Sequence, residues 1–256
     1  MRHLVVTDIH GMRKQLDRAL KAIKADLNKD RLIVMGDNID YHRESREVLA
    51  FLTELVKQGR DPVLLVGNHE DVILTALRLG RPAAITAWLT AFEGFTTLRS
   101  YRIQAERVSI AGDFSYLDKR RIEKREDIAW FLMTVFGDHL ALFKRMVYKH
   151  LHEGVLYSHG GRISGRSVAE TEDWLYAWGD ESWHTMPGDD PARINPDVYR
   201  TCYGHYHQRY YPLLRPGRLC LAVDRDVVVF CPEERLVVTS QEVYFQLRDD
   251  WTLKEG

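Results

Sequence analysis

Leu4-Val5-Val6-Thr7-Asp8-Ile9-His10-Gly11 is the stretch that decides how this chain is read. Three aliphatic residues run into an Asp, a His and a Gly, which is the composition of a short buried parallel strand ending at a turn. The pattern returns at Leu32-Ile33-Val34-Met35 before Gly36-Asp37-Asn38-Ile39-Asp40, and at Val63-Leu64-Leu65-Val66 before Gly67-Asn68-His69-Glu70. Two later strings repeat it: Gly154-Val155-Leu156-Tyr157 precedes Ser158-His159-Gly160-Gly161, and Arg200-Thr201-Cys202-Tyr203 precedes Gly204-His205-Tyr206-His207. In open α/β sheets ligands bind beyond the carboxyl ends of the strands, so chemistry is expected at five strand ends.

Helical periodicity fills the gaps between the first strands. Leu16, Leu20 and Ile23 recur at helix spacing after Gly11, as do Val48, Leu52, Leu55 and Val56 after Arg43, and such helices cover a parallel sheet. From Val72 to Leu151 the pattern is mostly helical, and the mixed-sign run from Lys119 to Glu126 reads as a solvated helix face or loop. Glu181 to Pro196 carries Pro187, Gly188, Pro191 and Pro196 and reads as a long surface loop. The end of the chain reads as an antiparallel strand series, Leu219 to Val223, Val227 to Phe230 and Leu236 to Val238, with turns at Asp224-Arg225-Asp226 and Pro232-Glu233-Glu234. Trp174, Trp178 and Trp183 read as core and rim packing.

The five strings span most of the 256 residues, so a single domain over 1–256 is expected. Lys and Arg number 36 against 37 Asp and Glu, a net charge of -1 that gives no general electrostatic case for nucleic acid or an anionic membrane. Cys202, Cys220 and Cys231 lie in or beside apolar runs and form no disulfide framework, which favours buried thiols in a reducing compartment. With Met1-Arg2-His3 entering a strand at once and no apolar stretch of about 18 residues, a soluble cytoplasmic protein is expected.

The residue types at the strand ends suit a two-metal site. Asp8 and His10 sit two apart and in an extended loop face the same way, able to chelate one ion. Asp37, with two carboxylate oxygens, suits a bridge, Asn68 offers a neutral carbonyl oxygen, and His159 and His205 add imidazole nitrogens. Oxygen and nitrogen donors of this kind favour Mn, Fe or Zn, with Mn the leading expectation, over metals that seek thiolates. A pair of such ions polarises a phosphoryl group and acidifies a water, which is the chemistry of phosphoester hydrolysis.

The ordered series Asp8-x-His10-Gly11, Gly36-Asp37-x-x-Asp40, Gly67-Asn68-His69-Glu70, His159-Gly160-Gly161 and Gly204-His205 resembles the calcineurin-like metallophosphoesterase superfamily. Within it the chain is most similar to bacterial members of the phosphoprotein phosphatase family, which include Ser/Thr phosphatases and symmetrical diadenosine tetraphosphatases. The likeness runs from residue 4 to about 240 and includes Trp88-Leu89, Thr97-Leu98-Arg99-Ser100-Tyr101 and Ser45-Arg46-Glu47-Val48-Leu49. It implies an α/β fold of two mixed β-sheets packed as a sandwich flanked by helices. It also implies that Asp8, His10 and Asp37 hold a first ion and that Asp37, Asn68, His159 and His205 hold a second. His69 would protonate the leaving alkoxide and Asp40 would orient its ring, although Asp40 also reads as a helix cap.

Several positions depart from that family. Asp40-Tyr41-His42 stands where Asp-Arg-Gly is usual, so a phenol replaces the bidentate arginine that grips the phosphate. Arg43 is a possible substitute, Arg162 a second candidate for substrate binding, and Tyr41 itself a third. Trp178 is followed by Gly179 where relatives carry Arg, and Thr7 precedes Asp8 where Gly is usual. His207 is extra to the phosphatase branch and reads either as a further ligand for the first ion or as a surface histidine beside Gln208-Arg209. The expected function is hydrolysis of a phosphomonoester such as phosphoserine or phosphothreonine in a protein. The rivals are hydrolysis of a nucleotide phosphoanhydride or phosphodiester, and a pseudo-enzyme that binds phosphorylated partners without turnover.

Overall fold

The structure, a computed structural model, describes residues 1–163, 166–185, 198 and 200–254, leaving out the side chains of 182 and 183. Strands β1 (His3–Val6), β2 (Arg31–Val34) and β3 (Val63–Leu64) pair in parallel. They alternate with α1 (Arg13–Ala22) and α2 (Ser45–Lys57), and α3 (Asn68–Leu79) follows β3 directly. Next come α4 (Pro82–Ala91), α5 (Gly94–Ser100), the strands β4 (Val108–Ala111), β5 (Phe114–Leu117) and β6 (Arg120–Ile122), and α6 (Arg125–Phe136). The second half supplies β7 (Lys149–His152), β8 (Val155–Ser158), β9 (Arg200–Tyr203), β10 (Leu213–Arg215), β11 (Arg218–Cys220), β12 (Val228–Cys231), β13 (Leu236–Thr239) and β14 (Tyr244–Gln246).

Two mixed sheets result. One has the order β14-β13-β12-β1-β2-β3 and the other β10-β11-β9-β8-β7. Side-chain alternation along each strand then sorts the apolar residues into two layers. Val5, Ile33, Val63, Tyr157, Cys202, Leu219, Val228 and Phe230 pack between the sheets. Their neighbours Leu4, Val6, Leu32, Val34 and Leu64 face the other way, onto Leu16 and Leu20 of α1 and Val48, Leu49 and Leu52 of α2. The sandwich with helical flanks is therefore present as expected, and the carboxyl ends of β1, β2, β3, β8 and β9 lie at one edge of it. No helix among the described residues is long and apolar enough to cross a membrane.

Three expectations are corrected. The region after Val72 is not simply helical, because β4, β5 and β6 form a separate antiparallel sheet and the charge run from Lys119 to Glu126 contains β6. Asp118 and Lys119 both have positive φ, 50° and 66°, which is the twist of a two-residue hairpin turn, and Leu117 pairs with Arg120 across it. No Asn or Gly advertises that turn in the sequence. Second, Arg218–Cys220 does not join the C-terminal series but runs parallel to β9, Leu219 opposite Cys202. Its alternation marks a strand without choosing a partner. Third, Glu181–Thr185 is a short helix, not loop, and the rest of the stretch to Pro196 lies outside the described residues. Trp183 falls there too as a side chain, whereas Trp178 is half-buried against Phe92 and Trp174 is exposed.

Candidate active site

Sharp turns at the strand ends bring the expected residues together. Asp8, His10, Asp37, Asp40, Tyr41 and His205 all adopt positive φ, from 42° at His10 to 72° at Asp40. Each such conformation costs a non-glycine residue about 1–3 kcal/mol, and a cluster of them marks a site where the surroundings over-determine the backbone. Glu70 is one of the restraints. Its buried carboxylate accepts the backbone N–H of Asp37 (2.8 Å), Asn38 (2.8 Å) and Gly67 (3.0 Å), tying the β2 turn to the start of α3. The three-residue spacing from Gly67 to Glu70 is a helix-start signal, and it is the sequence feature that could have assigned Glu70 this role.

The turn glycines allow close approach of backbone to carboxylate. A Cβ on Gly67 would land on Asp37 Oδ1 and its backbone nitrogen, and one on Gly204 would land on Asp8 Oδ2. A Gly67→Ala protein is thus expected to displace Asp37, losing about 1–3 kcal/mol of stability in thermal or urea unfolding together with most of its metal affinity. Unchanged metal binding would show that Asp37 is placed by something else.

Three overlapping groups of side chains converge at this edge: Asp8, His10 and His207; His10, Asp37 and His69; and Asp37, His159 and His205, with the ligand atoms of each group within 4.8 Å of one another. Asp37 Oδ2 lies 3.4 Å from His10 Nε2 and 3.3 Å from His159 Nε2, and Asp8 Oδ1 lies 3.3 Å from His207 Nε2. Asn68 Oδ1 is 3.1 Å from His159 Nε2 and 2.9 Å from His205 Nδ1. Two donors each about 2.1 Å from one cation, at octahedral or tetrahedral angles, stand about 3.0–3.4 Å apart.

Donor chemistry points the same way. His10 donates its Nδ1–H to the Ile39 carbonyl (2.9 Å) and His159 donates its own to the Met35 carbonyl (2.8 Å). A backbone acceptor behind the ring fixes the tautomer and turns the other nitrogen's lone pair toward the cluster. His10 Nε2 is buried with no hydrogen-bond partner among the described residues. Burial holds the His10 pKa down to about 4, and burial with repulsion from His159 does the same for His205, so both rings are neutral. Burial opposes charge on His159 too, yet Asp37 and Asp8 push it up to about 9. Asp8, despite its burial, is held below the usual carboxylate range by His159 and His207. Two buried carboxylates thus draw positive charge to this corner, raising His159 and His207 despite their burial, and the oxygen and nitrogen donors gathered around them fit divalent cations.

His69 stands at the side of this group. Its Nδ1 donates to Asp40 Oδ2 (2.8 Å), and its Nε2 lies 3.8 Å from Asp37 Oδ2. Asp40 is buried and further gripped by Trp88 Nε1 (2.9 Å) and the Thr97 hydroxyl (2.6 Å), two residues whose role in the site was not legible in the sequence. Burial opposes a charge on His69, but Asp37, the hydrogen bond to Asp40 and Glu70 raise its pKa above the ordinary value.

The remaining candidates divide. His207 is brought in, its Nε2 toward Asp8 and its ring stacked 5.5 Å from that of His10. Tyr41 is half-exposed and packs edge-on against His10 (4.7 Å) and His69 (5.1 Å) at the mouth. Arg43 is exposed in a groove leading off Tyr41 and His42. Arg162 is buried after the Gly160-Gly161 turn, its charge felt by the phenol of Tyr176.

Comparison with known proteins adds to this geometry. The model of the family described as calcineurin-like phosphoesterase matches residues 1–209. The symmetrical bis(5'-nucleosyl)-tetraphosphatase of Coxiella burnetii is 34% identical over 70 residues, 27% of this chain and 23% of that protein, so the match spans about a quarter of the curated relatives' length. Among solved structures, one described as a candidate diadenosine tetraphosphatase superposes with a TM-score of 0.59 at 16% identity, covering 93% of this chain and 92% of that one. A cold-active protein-tyrosine phosphatase from a psychrophilic Shewanella species gives 0.57 at 16% identity over 96% and 80%. At these identities the likeness is one of fold.

Proposed function

Because the chain belongs to the calcineurin-like phosphoesterase family, a family of metal-dependent phosphoric ester hydrolases, we propose that its converging Asp and His side chains carry out that hydrolysis here. The observation that carries the proposal is the convergence of His10 Nε2 and His159 Nε2 on the buried Asp37 Oδ2, with His10 Nε2 left without a hydrogen-bond partner among the described residues. Asp8, His10, Asp37 and His207 would hold one divalent cation, and Asp37, Asn68, His159 and His205 a second, with Mn the first choice and Fe or Zn alternatives. Such cations supply Lewis acidity to the phosphoryl oxygens and acidify a water.

The protein's own groups do the rest. Asp37 serves both sets because its Oδ2 faces His10 and His159 at once. His69 carries a proton at Nε2, on the side facing Asp37, and gives it to the departing oxygen. Asp40 holds the ring by Nδ1, and a cation on Asp37 would offset that carboxylate's pull on His69, leaving Asp40 as the group that sustains its charge. Tyr41 walls the mouth beside both rings. Ligands come from residue 8 to residue 207 and from both sheets, in keeping with residues 1–256 acting as one domain. Three buried free thiols suit a reducing cytoplasm.

Two substrate classes follow, a phosphomonoester such as phosphoserine or phosphothreonine in a protein, and a nucleotide phosphoanhydride. The phenol at Tyr41 and the tetraphosphatase likeness over 70 residues favour the second. Protein stripped of metal by a chelator is expected to be inactive on p-nitrophenyl phosphate, with Mn restoring turnover by at least about 100-fold. Failure of Mn, Fe and Zn alike would leave a module that only binds phosphorylated partners, and turnover of bis(p-nitrophenyl) phosphate in place of the monoester would reassign it to diesters.

A further inference from the structure

Trp88 and Phe92 lie four residues apart at the carboxyl end of α4 and so share one face of it. That face is turned to His69 and Asp40. Trp88 donates its Nε1–H to Asp40 Oδ2 (2.9 Å), the oxygen that also takes the Nδ1–H of His69 (2.8 Å). Phe92, which caps α4, sets its ring 5.0 Å from that of His69 and nearly perpendicular to it, at 87°. Glu93 then turns the chain with φ of 59°, and Gly94 packs so closely on Trp88 that a Cβ there would meet the indole at 2.8 Å.

Phe92 is in turn held from behind. Its ring meets that of Trp178 at 5.8 Å and 88°, and Trp178 donates its Nε1–H to Asp71 Oδ2 (2.8 Å). Asp71 is buried and accepts the Tyr148 hydroxyl on its other oxygen (2.6 Å). It follows His69 by two residues in α3, so the helix that carries the ring also anchors the wall beside it. The short helix Leu175–Trp178 is tied as well to the turn after His159, where the Gly160 N–H donates to the Tyr176 carbonyl (2.6 Å). Of the other rings against His69, His10 belongs to the candidate ligand groups and Tyr41 is half-exposed, whereas Phe92 is braced by Trp178.

A single hydrogen bond at Nδ1 leaves an imidazole free to turn about that bond, and a proton donor acts only when its other nitrogen meets the departing oxygen at hydrogen-bond distance. Ring neighbours must therefore set its plane. We propose that Phe92, backed by Trp178, is a positioning residue that fixes the plane of the His69 ring and so aims Nε2 at the leaving group. The role rests on the hydrolase function and the proton donor proposed above. It makes one face of α4 responsible for both members of the pair, Trp88 holding the carboxylate and Phe92 the ring.

The test measures kcat and KM of the Mn-loaded protein on β-glycerophosphate, an alkyl phosphate, and on p-nitrophenyl phosphate. Phe92→Ala should lower kcat on β-glycerophosphate by about 10- to 100-fold, the size expected when a reacting group is misplaced by about 1 Å, with KM and metal content little changed. On p-nitrophenyl phosphate, whose leaving group needs little protonation, the loss should stay under about threefold. Phe92→Tyr, which keeps the ring, should hold the alkyl rate within about threefold of wild type. In a His69→Asn background Phe92→Ala should cost nothing further on the alkyl phosphate, because the ring it positions is gone. Equal losses on both substrates, a loss confined to KM, or additive losses in the double variant would overturn the positioning role while leaving the hydrolase intact. Should Phe92→Ala fail to fold, Phe92→Leu, which fills the space without an aromatic ring, is held to the same criteria and should show the same split between substrates. A wild-type protein that turns over the aryl but not the alkyl phosphate has no working proton donor to position, and overturns the role as well. A wild-type protein inactive on both overturns the hydrolase function itself, and the role of Phe92 with it.

Discussion

Asp37→Ala is expected to lose phosphoesterase activity by about three orders of magnitude or more and to retain little metal. Asp37 is buried, and its Oδ2 is the atom on which His10 and His159 converge. On the proposed ligand sets, removing that carboxylate would take a shared ligand from both cations at once, and several kcal/mol of transition-state stabilisation would go with it, at a factor of ten per 1.4 kcal/mol. The same change removes an acceptor for the His69 N–H (3.1 Å), so the start of α3 should loosen too. Elemental analysis alongside kinetics makes the outcome decisive: a variant that keeps two equivalents of metal per chain would refute a bridging Asp37.

Replacing His69 should have the second largest effect, and one of a different kind. His69→Asn is expected to keep the metals and lose about 10²–10⁴-fold on alkyl phosphates, the range for a positioned general acid. Aryl phosphates, whose leaving groups need little protonation, should lose much less. The nearness of His69 Nε2 to Asp37 Oδ2, 3.8 Å, leaves a competing role as a metal ligand, and the experiment separates the two. A proton donor shows the leaving-group dependence with metal intact, whereas a ligand shows metal loss and an equal decline on every substrate. Asp40→Asn should reproduce the pattern more weakly, because Trp88 and Thr97 would still hold the side chain in place.

Strand ends and ligand types were the most legible part of this protein. Leu4-Val5-Val6 before Asp8 and His10 announced a buried strand with two candidate donors at its end, since a parallel strand needs an apolar run and such donors need a short polar turn. Those signals are local, and all five were found where the structure has strands β1, β2, β3, β8 and β9. The hairpin at Asp118-Lys119 was missed because its two left-handed residues are an Asp and a Lys, neither of which the sequence marks as a turn of that type. The solvated helix face or loop expected instead is also a fair match to the charge pattern, so composition alone had nothing with which to overrule it.

What the sequence by itself determined, then, is the inventory: apolar runs that must be buried, the donors that follow them and their order along the chain. What only the tertiary structure decided is which strand pairs with which, that Arg218–Cys220 lies beside β9, and that Asp8, His10 and His207 share one corner. The same holds for Glu70 stitching the Asp37 turn to α3 and for Trp88 and Thr97 gripping Asp40. The physical reason is one of range. Periodicity and turn chemistry act over a few residues, whereas a buried carboxylate takes its partners from whatever packing brings within about 3 Å, here including a residue 29 positions away for Asp40 and one 197 positions away for Asp8.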